Sequence, residues 1–277
     1  MANNSLIELR TSYDEFLRTD RFGYTDRIGT AIDDHIQRSA LKGGKGSDSN
    51  QQSGGSLIGH PRLRVPLSEL RSYDSRLSNA LQRDPLRHIR ALESAAHEIA
   101  VEERPGYDKH DVKMRIALGG PIGSKALGPR ELGSSSLRRL VCVEGVAVKV
   151  SSVKPKVVQS VHYCPVTRQH EARSYVDATD PELGLPAVDS SGRELPDKVV
   201  QLTSSSYPTQ DKDGHALETE FGLSIYKDHQ TITLQEMPER APMGQLPRSV
   251  ELILDHDLVD KVKPGDRVQI VGVYRAL

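Results

Sequence analysis

Apolar residues in the first forty positions recur at steps of three and four. The two stripes consist of Leu6, Leu9, Tyr13, Phe16 and Leu17 and of Ile28, Ile32 and Ile36. This spacing places the apolar side chains on one face of an α-helix. The pattern therefore predicts two amphipathic helices that each pack against a partner surface.

Helical spacing returns later in the first half of the chain. Its apolar positions are Leu70, Tyr73, Leu77 and Leu81, and then Leu86, Ile89, Leu92 and Ile99. Asp84-Pro85 offers a capping residue followed by proline at a first helical position, and Arg104-Pro105-Gly106 breaks the helix. We therefore expect a helical bundle over residues 1–111. Residues 42–60, rich in Gly, Ser, Asn and Gln, are predicted to be a disordered insertion.

The hydrophobic period changes to two after Val112, which predicts β-strands. The alternating segments are 140–150, 157–163, 231–235, 249–254 and 267–270. In the first, Val146, Val148 and Val150 are expected to face the core, and Ala147 and Lys149 to face the other side. Five strands at this spacing suit a small Greek-key barrel formed by residues 112–161 and 230–277. The fold class is thus α+β, with several domains.

Residues 162–229 separate the second and third strands and are too numerous for a hairpin, so they are predicted to form an inserted β knob.

Acidic and basic residues are concentrated in different parts of the chain, although the formal net charge is −1. Residues 177–220 carry ten acidic and three basic side chains, whereas residues 137–169 carry six basic and one acidic. Any attraction for nucleic acid must therefore come from a local basic region.

Several classes of protein are not supported by the sequence. No apolar run approaches the roughly 20 residues of a membrane span, and no secretory signal is evident at the start. Two cysteines exclude a disulfide framework and a four-cysteine zinc site. Gly43-Gly44-Lys45-Gly46 lies in a low-complexity segment and reads as a linker rather than a phosphate loop. We expect no catalytic residue and no cofactor in this chain.

The weak candidates for a metal site are His162, Cys164 and His170, because imidazole and thiolate are preferred zinc ligands. No fourth ligand is visible, and His215 is the nearest distant candidate. A knob held by packing and turns without metal is therefore the expectation.

Lys149, Lys154 and Lys156 flank the connection between the first two barrel strands. On this strand face they can meet phosphates without exposing the core, although a solvated surface explains each lysine equally well. With three Phe and no Trp, the chain would contact the nucleic-acid backbone rather than read bases.

Residues 241–248 join the third and fourth predicted barrel strands. Pro242, Gly244, Gln245 and Pro247 suit a projecting hairpin, because glycine permits positive φ and proline stiffens the arms. Arg240 and Arg248 would then lie near its tip. A simple surface loop remains an equal alternative.

Long segments of the chain resemble the minichromosome maintenance (Mcm) family. The resemblance is strong from about Gly123 to the end, and its clearest segments are residues 140–165, 226–232, 235–239, 244–250 and 257–268. Several of them are similar to subunit three of the eukaryotic complex. The family resemblance implies the amino-terminal tier of a hexameric replicative helicase, with a helical domain, an oligonucleotide-binding (OB) barrel and a zinc-finger-like knob.

The same resemblance implies where this tier would act. Lys149 and Lys154 correspond to positions where relatives touch single-stranded DNA, and 244–248 to a hairpin that enters the channel. Single- and double-stranded DNA, other Mcm subunits and loading factors would be the partners, in the nucleus and not at a membrane. ATP and Mg²⁺ would bind a motor domain that is not found here. Zinc is doubtful, because Cys164 alone matches the four cysteines of most family knobs.

Two other functions remain open at this point. The chain could be an assembly module that contacts neighbouring subunits and has little affinity for DNA. It could also be a free-standing OB-fold that binds single strands, although the scarcity of aromatic residues disfavours this reading.

Overall fold

The computed structural model describes residues 6–42, 60–104, 107, 113–120, 122–123, 126–180, 183–188, 194–203, 206–211 and 213–276. Within these ranges the helices are α1 (Leu6–Arg18), α2 (Tyr24–Lys42), α3 (Leu67–Tyr73), α4 (Ser75–Arg83) and α5 (Pro85–Glu103). The strands are β1 (Arg62–Pro66), β2 (Arg115–Gly119), β3 (Leu140–Val150), β4 (Lys154–Cys164), β5 (Gln169–Ser174), β6 (Pro186–Val188), β7 (Glu194–Val199), β8 (Glu218–Thr219), β9 (Ile225–Gln235), β10 (Ser249–Asp255) and β11 (Arg267–Val273). The insertion predicted at 42–60 lies, from residue 43 to 59, outside the described residues.

The chain divides into two compact units. One comprises residues 1–144 with 190–194 and 269–276, and the other comprises residues 145–189 with 195–268 and residue 277. The predicted domain limits after residues 111, 161 and 229 remain predictions. No helix among the described residues is long and apolar enough to cross a membrane.

The first unit is built on the predicted helical stripes. The fully buried side chains of α1 and α2 are Tyr13, Phe16, Leu17, Tyr24, Ile28 and Ile32. Ile36 departs from the pattern and is 44% exposed. Tyr13 Oη and His88 Nδ1, on α1 and α5, share a hydrogen bond of 2.8 Å. Burial lowers the pKa of His88, because the charged imidazolium would lose its hydration.

Helix α3 ends at Tyr73 and α4 begins at Ser75, so the predicted continuous stripe over Leu70–Leu81 is divided. Asp74 lies between the two helices, and its carboxylate accepts a hydrogen bond of 2.7 Å from the Arg76 amide. This is a helix N-cap. Asp84 occupies the predicted capping position of α5 with Pro85 at the first turn, but its side chain makes no capping hydrogen bond.

A short parallel ladder was not predicted, because residues 1–111 were expected to be helical. Strand β1 pairs with β2 from Arg62 opposite Arg115 to Pro66 opposite Gly119. Leu63 and Val65 are buried on β1. Five residues are too few for a reliable period, and the partner strand follows about fifty residues later, so nothing local indicates this pairing.

All five predicted barrel segments form strands. The sheet order is β11-β3-β9-β4-β5, with β10 paired to β9 and β8 paired to β4. Ala147, Ile232 and Leu254 form the buried cluster of the second unit. The residues predicted as a knob contain the further strands β5 to β8. Closure into a barrel and the zinc-finger-like character of the knob remain predictions.

The prediction of which β3 side chains point towards the core is wrong at two positions. Ala147 is fully buried, whereas Val148 is 52% exposed. Ala147 lies opposite Leu234 and Lys149 lies opposite Thr233, so Val148 is an extra residue without a partner in the ladder. This β-bulge turns two successive side chains outward and lets Val150 pack against the core again. Simple alternation cannot show a bulge.

Candidate nucleic-acid interface

Lys149 lies on the solvent side of β3 because of the bulge. Without the extra residue at Val148, strict alternation from the buried Ala147 would point Lys149 into the core. The lysine side chain is instead exposed. An ammonium group on an exposed strand face is accessible to a phosphate, and the contact itself stays a prediction.

Three residues, Ser151 to Val153, connect β3 to β4. Both strands pair along the same edge of β9, β3 with residues 232–235 and β4 with residues 225–229, and β10 occupies the other edge. Strand β9 also anchors the connection: the Gln230 side chain donates a hydrogen bond of 2.9 Å to the Ser151 carbonyl, and the Thr231 amide donates one of 3.0 Å to Ser151 Oγ. Lys154 follows this anchored connection and is exposed, opposite His229.

Lys156 differs from the other two lysines because an acid already binds its ammonium group. Lys156 Nζ lies 2.7 Å from an Asp177 carboxylate oxygen and 2.9 Å from Thr179 Oγ1. Partial burial opposes ionisation of Asp177, but the hydrogen bonds from Lys156 and Thr179 lower its pKa to about 2. At neutral pH this pair therefore carries no net charge, and Lys156 offers less attraction to a polyanion than Lys149.

The predicted hairpin joins β9 and β10. Those strands pair from His229 opposite Asp255 to Gln235 opposite Ser249. Beyond them, Gly244 has φ of 79° and the Gln245 amide donates to the Pro242 carbonyl at 3.2 Å, which forms a tight turn. Pro242, Gly244, Gln245 and Pro247 are all exposed.

The sequence predicted both arginines near the tip of this hairpin. Arg248 instead lies at its base, next to the first residue of β10, whereas Arg240 lies two residues before the turn, and both are exposed. Glu236 closes the base: its amide donates to the Arg248 carbonyl at 2.9 Å, and its buried carboxylate accepts from the Arg248 amide at 3.4 Å. The Arg240 amide donates to the Met237 carbonyl at 2.9 Å. These contacts fix the position of the backbone from which each arginine side chain extends.

The weak metal candidates are not brought together as a set. His162 is buried, with Nε2 2.6 Å from Ser160 Oγ and Nδ1 3.1 Å from Thr219 Oγ1. His170 is exposed and packs against Tyr163. Cys164 instead lies near Asp211 and His215. Hydrogen bonds from Thr167 lower the pKa of the Cys164 thiol. Asp211 carried no signal in the sequence.

A partly buried ionic group on β9 and β10 was also missed. Lys227 Nζ lies 3.2 Å from one Asp255 oxygen, and His229 Nδ1 lies 2.7 Å from the other. Burial opposes ionisation of Asp255, but His229 and Lys227 hold its pKa below the usual value. Lys227 and His229 alternate on β9, and His229 lies directly opposite Asp255 of β10, a relationship that requires the strand register.

A family model described as the MCM OB domain matches residues 127–277, more than half of the chain. The chain belongs to the minichromosome maintenance family. The matched region contains Lys149, Lys154, Lys156 and the whole hairpin, so the Mcm assignment rests on the part of the chain that carries the candidate interface.

Curated relatives show the same family likeness over a longer stretch. The Mcm chain is 47% identical over 216 residues to the zygotic DNA replication licensing factor mcm3 of Xenopus tropicalis. It is 46% identical over 216 residues to DNA replication licensing factor MCM3 of Gallus gallus and to Mcm3 of Drosophila melanogaster. These alignments cover 78% of this chain and 24–25% of each relative. The subunit-three-like amino-terminal resemblance is confirmed, and the chain spans about a quarter of the length of these relatives.

Proposed function

We propose that this chain is the DNA-binding and ring-forming tier of a subunit-three-like component of the Mcm replicative helicase. In that role it acts in replication licensing, initiation and fork unwinding, in the nucleus. Its partners are other Mcm subunits, loading factors, and single- and double-stranded DNA. The proposal rests above all on the outward placement of Lys149, one residue beyond the bulge in β3.

The proposed contact is with the phosphate backbone. Lys149 and Lys154 lie on exposed positions of β3 and β4, and Arg240 and Arg248 are exposed on the two arms of the hairpin. Cations on a strand surface neutralise phosphates and release counterions without sequence preference. Lys156 joins this surface only when a phosphate competes with Asp177 for its ammonium group. Six such surfaces around a channel hold a polyanion by their summed charge.

Within this role the chain positions DNA and makes or breaks no covalent bond. Its 277 residues contain no phosphate-loop motif that would bind ATP and Mg²⁺. ATP hydrolysis would belong to the motor part of a full-length protein. The anchored Ser151 connection and the buried Glu236 carboxylate keep the lysines and arginines in place, so little ordering is required when DNA binds.

The test compares assembled rings that carry variants of this chain. Lys149→Ala with Lys154→Ala, and Arg240→Ala with Arg248→Ala, should each weaken single-strand binding similarly across sequences. The slope of log affinity against log salt should fall by roughly 0.7 for each lost phosphate contact. Fluorescence anisotropy at several salt concentrations measures both quantities.

Lys198→Ala is the matched control, because Lys198 is also exposed in the second unit but lies on β7, in the two-stranded β6-β7 sheet rather than in the sheet that carries Lys149 and Lys154. It should leave affinity and slope unchanged. Wild-type affinity in both double variants would remove these four residues from the DNA contact.

A second candidate, an assembly module, is favoured by the apolar tip of the hairpin. Met243 is fully exposed and Leu246 is 89% exposed. Exposed apolar side chains of this kind are typical of protein contacts. Under this alternative, Met243→Ser with Leu246→Ser would prevent complex formation with related subunits, as measured by solution mass, and the lysine variants would leave DNA binding unchanged.

A further inference from the structure

A polar groove of about 440 Å³ lies in the first unit, between α4 and the segment that leads into β3. The residues that line it are Asn79, Gln82, Arg83, Ser135, Ser136, Arg139, Leu140 and Val141. Two of them carry a guanidinium group, two carry a side-chain amide and two carry a hydroxyl, and none of these described residues is acidic. A lining rich in hydrogen-bond donors and without a carboxylate suits an anion.

The two arginines of this groove differ from other arginines of the first unit. Arg83 is the last residue of α4, and Arg139 immediately precedes β3. Both are exposed, and within the described ranges neither side chain forms an ion pair or a hydrogen bond. Carboxylates do bind the guanidinium groups of Arg10, Arg18, Arg27, Arg104 and Arg115. Two positive charges in the groove are therefore not neutralised by an acid of the described chain.

Backbone hydrogen bonds hold the serine wall of the groove. The Ser136 amide donates to the Gly133 carbonyl at 3.0 Å, and the Arg139 amide donates to the Ser136 carbonyl at 3.2 Å. The second bond closes a tight turn in which Arg138 has φ of 58°. This φ is unfavourable for a residue with a side chain, but the Arg138 amide is held by the Tyr274 carbonyl at 2.7 Å. The wall is therefore formed before any ligand binds.

We propose that Ser135 is a phosphorylation site and that its phosphate binds Arg83 and Arg139 in this groove. Ser135 is exposed whereas Ser136 is half-buried, so the Ser135 hydroxyl is the more accessible of the two. Phosphorylation adds nearly two negative charges and three acceptor oxygens, which match two guanidinium groups. The phosphate links α4 to the segment that leads into β3.

A phosphate attached to this chain suits an open groove better than a free anion does. Ion pairs between exposed groups contribute little on their own, because water and salt screen them. Covalent attachment keeps the phosphate at a high local concentration, so that weak contacts suffice. Arg138 and Arg139 also lie three and four positions after Ser135, and such local charge patterns are a means by which kinases select substrates.

The modification requires a protein kinase and ATP. A bond forms between Ser135 Oγ and the γ-phosphorus of ATP, while the bond from that phosphorus to the β-phosphate oxygen breaks. ADP leaves, and the hydroxyl proton passes to the catalytic base of the kinase.

The test places phosphoserine at position 135 of the full chain during translation. Thermal unfolding is followed by the helical circular dichroism signal, because α1 to α5 all belong to the first unit. The phosphate should raise the melting temperature by about 2–4 °C, the shift that a small gain in stability gives in a domain of this size. Arg83→Gln with Arg139→Gln should abolish the rise.

Phosphorus-31 NMR gives a second readout that a general effect on stability does not move. The second pKa of the phosphoserine should lie below its ordinary value of about 6, because neighbouring guanidinium groups favour the dianion. Arg83→Gln with Arg139→Gln should return this pKa to the ordinary value.

Matched controls are available for both the position and the charge. Ser134 is exposed but does not line the groove, so phosphoserine at position 134 should leave the melting temperature unchanged. Arg138 is exposed beside Arg139 but also lies outside the lining. Arg138→Gln should therefore preserve both the rise in melting temperature and the lowered pKa of the phosphoserine at position 135.

Three results would overturn the proposal. The first is a melting temperature and a phosphoserine pKa that do not respond to Arg83→Gln with Arg139→Gln. The second is an equal rise when equimolar inorganic phosphate is added to the unmodified chain, which would make the groove a site for free anions. The third is the lack of phosphate on Ser135 when the chain is isolated from dividing cells at each stage of division and mapped by mass spectrometry. No arm measures DNA binding, so failure here leaves the proposed function unaffected.

Discussion

Ala147 and Lys149 point to opposite sides of the same strand although they are two positions apart in the sequence. Ala147 opposes Leu234 and is fully buried, whereas Lys149 opposes Thr233 and is exposed. Side chains two positions apart in a regular strand share a face. The bulge at Val148 therefore connects packing in the second unit to the cationic surface.

This relationship predicts unequal effects when leucine replaces the residues at two neighbouring positions. Ala147→Leu should lower the free energy of unfolding by about 1–3 kcal/mol, because added methyl groups overpack the cluster with Ile232 and Leu254. Val148→Leu should change it by less than about 0.5 kcal/mol, because that side chain is half exposed. Urea unfolding measures both, and the reverse order would disprove the bulge.

Gly145 should not tolerate a side chain. A methyl group there would lie 2.9 Å from Leu234 Cγ and well inside van der Waals distance of the Gln235 carbonyl oxygen. Gly145→Ala should therefore lower the free energy of unfolding by about 1–3 kcal/mol. The control is Gly272→Ala, since no described atom lies within 4 Å of a Cβ there. It should be neutral or stabilising by up to about 1 kcal/mol. Equal unfolding midpoints in the two variants would contradict this prediction.

The Asp177–Lys156 pair should contribute to stability only above strongly acidic pH. The carboxylate has a pKa of about 2 when folded and 3.8 as its ordinary value. The contribution is complete above pH 4 and is lost as the pH falls towards 2. Because the Asp177 side chain is 47% exposed, the contribution should be about 0.2–1 kcal/mol after solvent screening. The unfolding midpoint of Asp177→Asn, followed from pH 7 to 2, should converge on that of the wild type at the acidic end.

The same substitution has a functional consequence. Asp177→Asn releases the ammonium group of Lys156, so it should raise the affinity of the assembled ring for DNA and steepen its salt slope by roughly 0.7–0.9. Lys156→Ala in the wild-type background should have a smaller effect than Lys149→Ala. An unchanged salt slope in Asp177→Asn would exclude Lys156 from the DNA contact.

His88 should make the free energy of unfolding depend on pH near neutrality. Burial lowers its pKa below the ordinary 6.5, so between these values the unfolded chain binds a proton that the folded chain does not. Stability from this group is therefore complete above pH 6.5 and lost as the pH falls below it. His88→Gln should remove this slope between pH 7 and 5, whereas the exposed His170→Gln should keep it. Parallel profiles for the wild type and His88→Gln would refute the assignment.

The spacing of apolar residues predicted those helices and strands that are long enough to repeat the spacing several times. Helices α1, α2 and α5 and all five predicted barrel strands were visible because the apolar side chains of each element recur at the spacing of a helix or a strand. The break at Asp74 was missed, because a capping carboxylate interrupts the backbone without interrupting the apolar spacing.

The candidate sites depended on contacts that a sequence pattern does not encode. Lys149 was found from local charge, but the reason for its exposure lies in the register between β3 and β9. Asp177 neutralises Lys156 from twenty-one residues away, and Asp211 and His215 reach Cys164 from almost fifty. Each of these relationships requires the tertiary fold to be known first.

The carboxyl-terminal half of strand β9 is hydrogen-bonded to a neighbouring strand on each of its two edges. Residues 232–235 pair with β3 on one edge and with β10 on the other. Their amides can exchange with deuterated solvent only when a ladder opens, so Ile232, Thr233 and Leu234 should be among the last of the second unit to take up deuterium. The exposed tip of the hairpin is thus mounted on a segment that should be among the slowest of that unit to open, so its base should stay in place when the tip contacts a ligand.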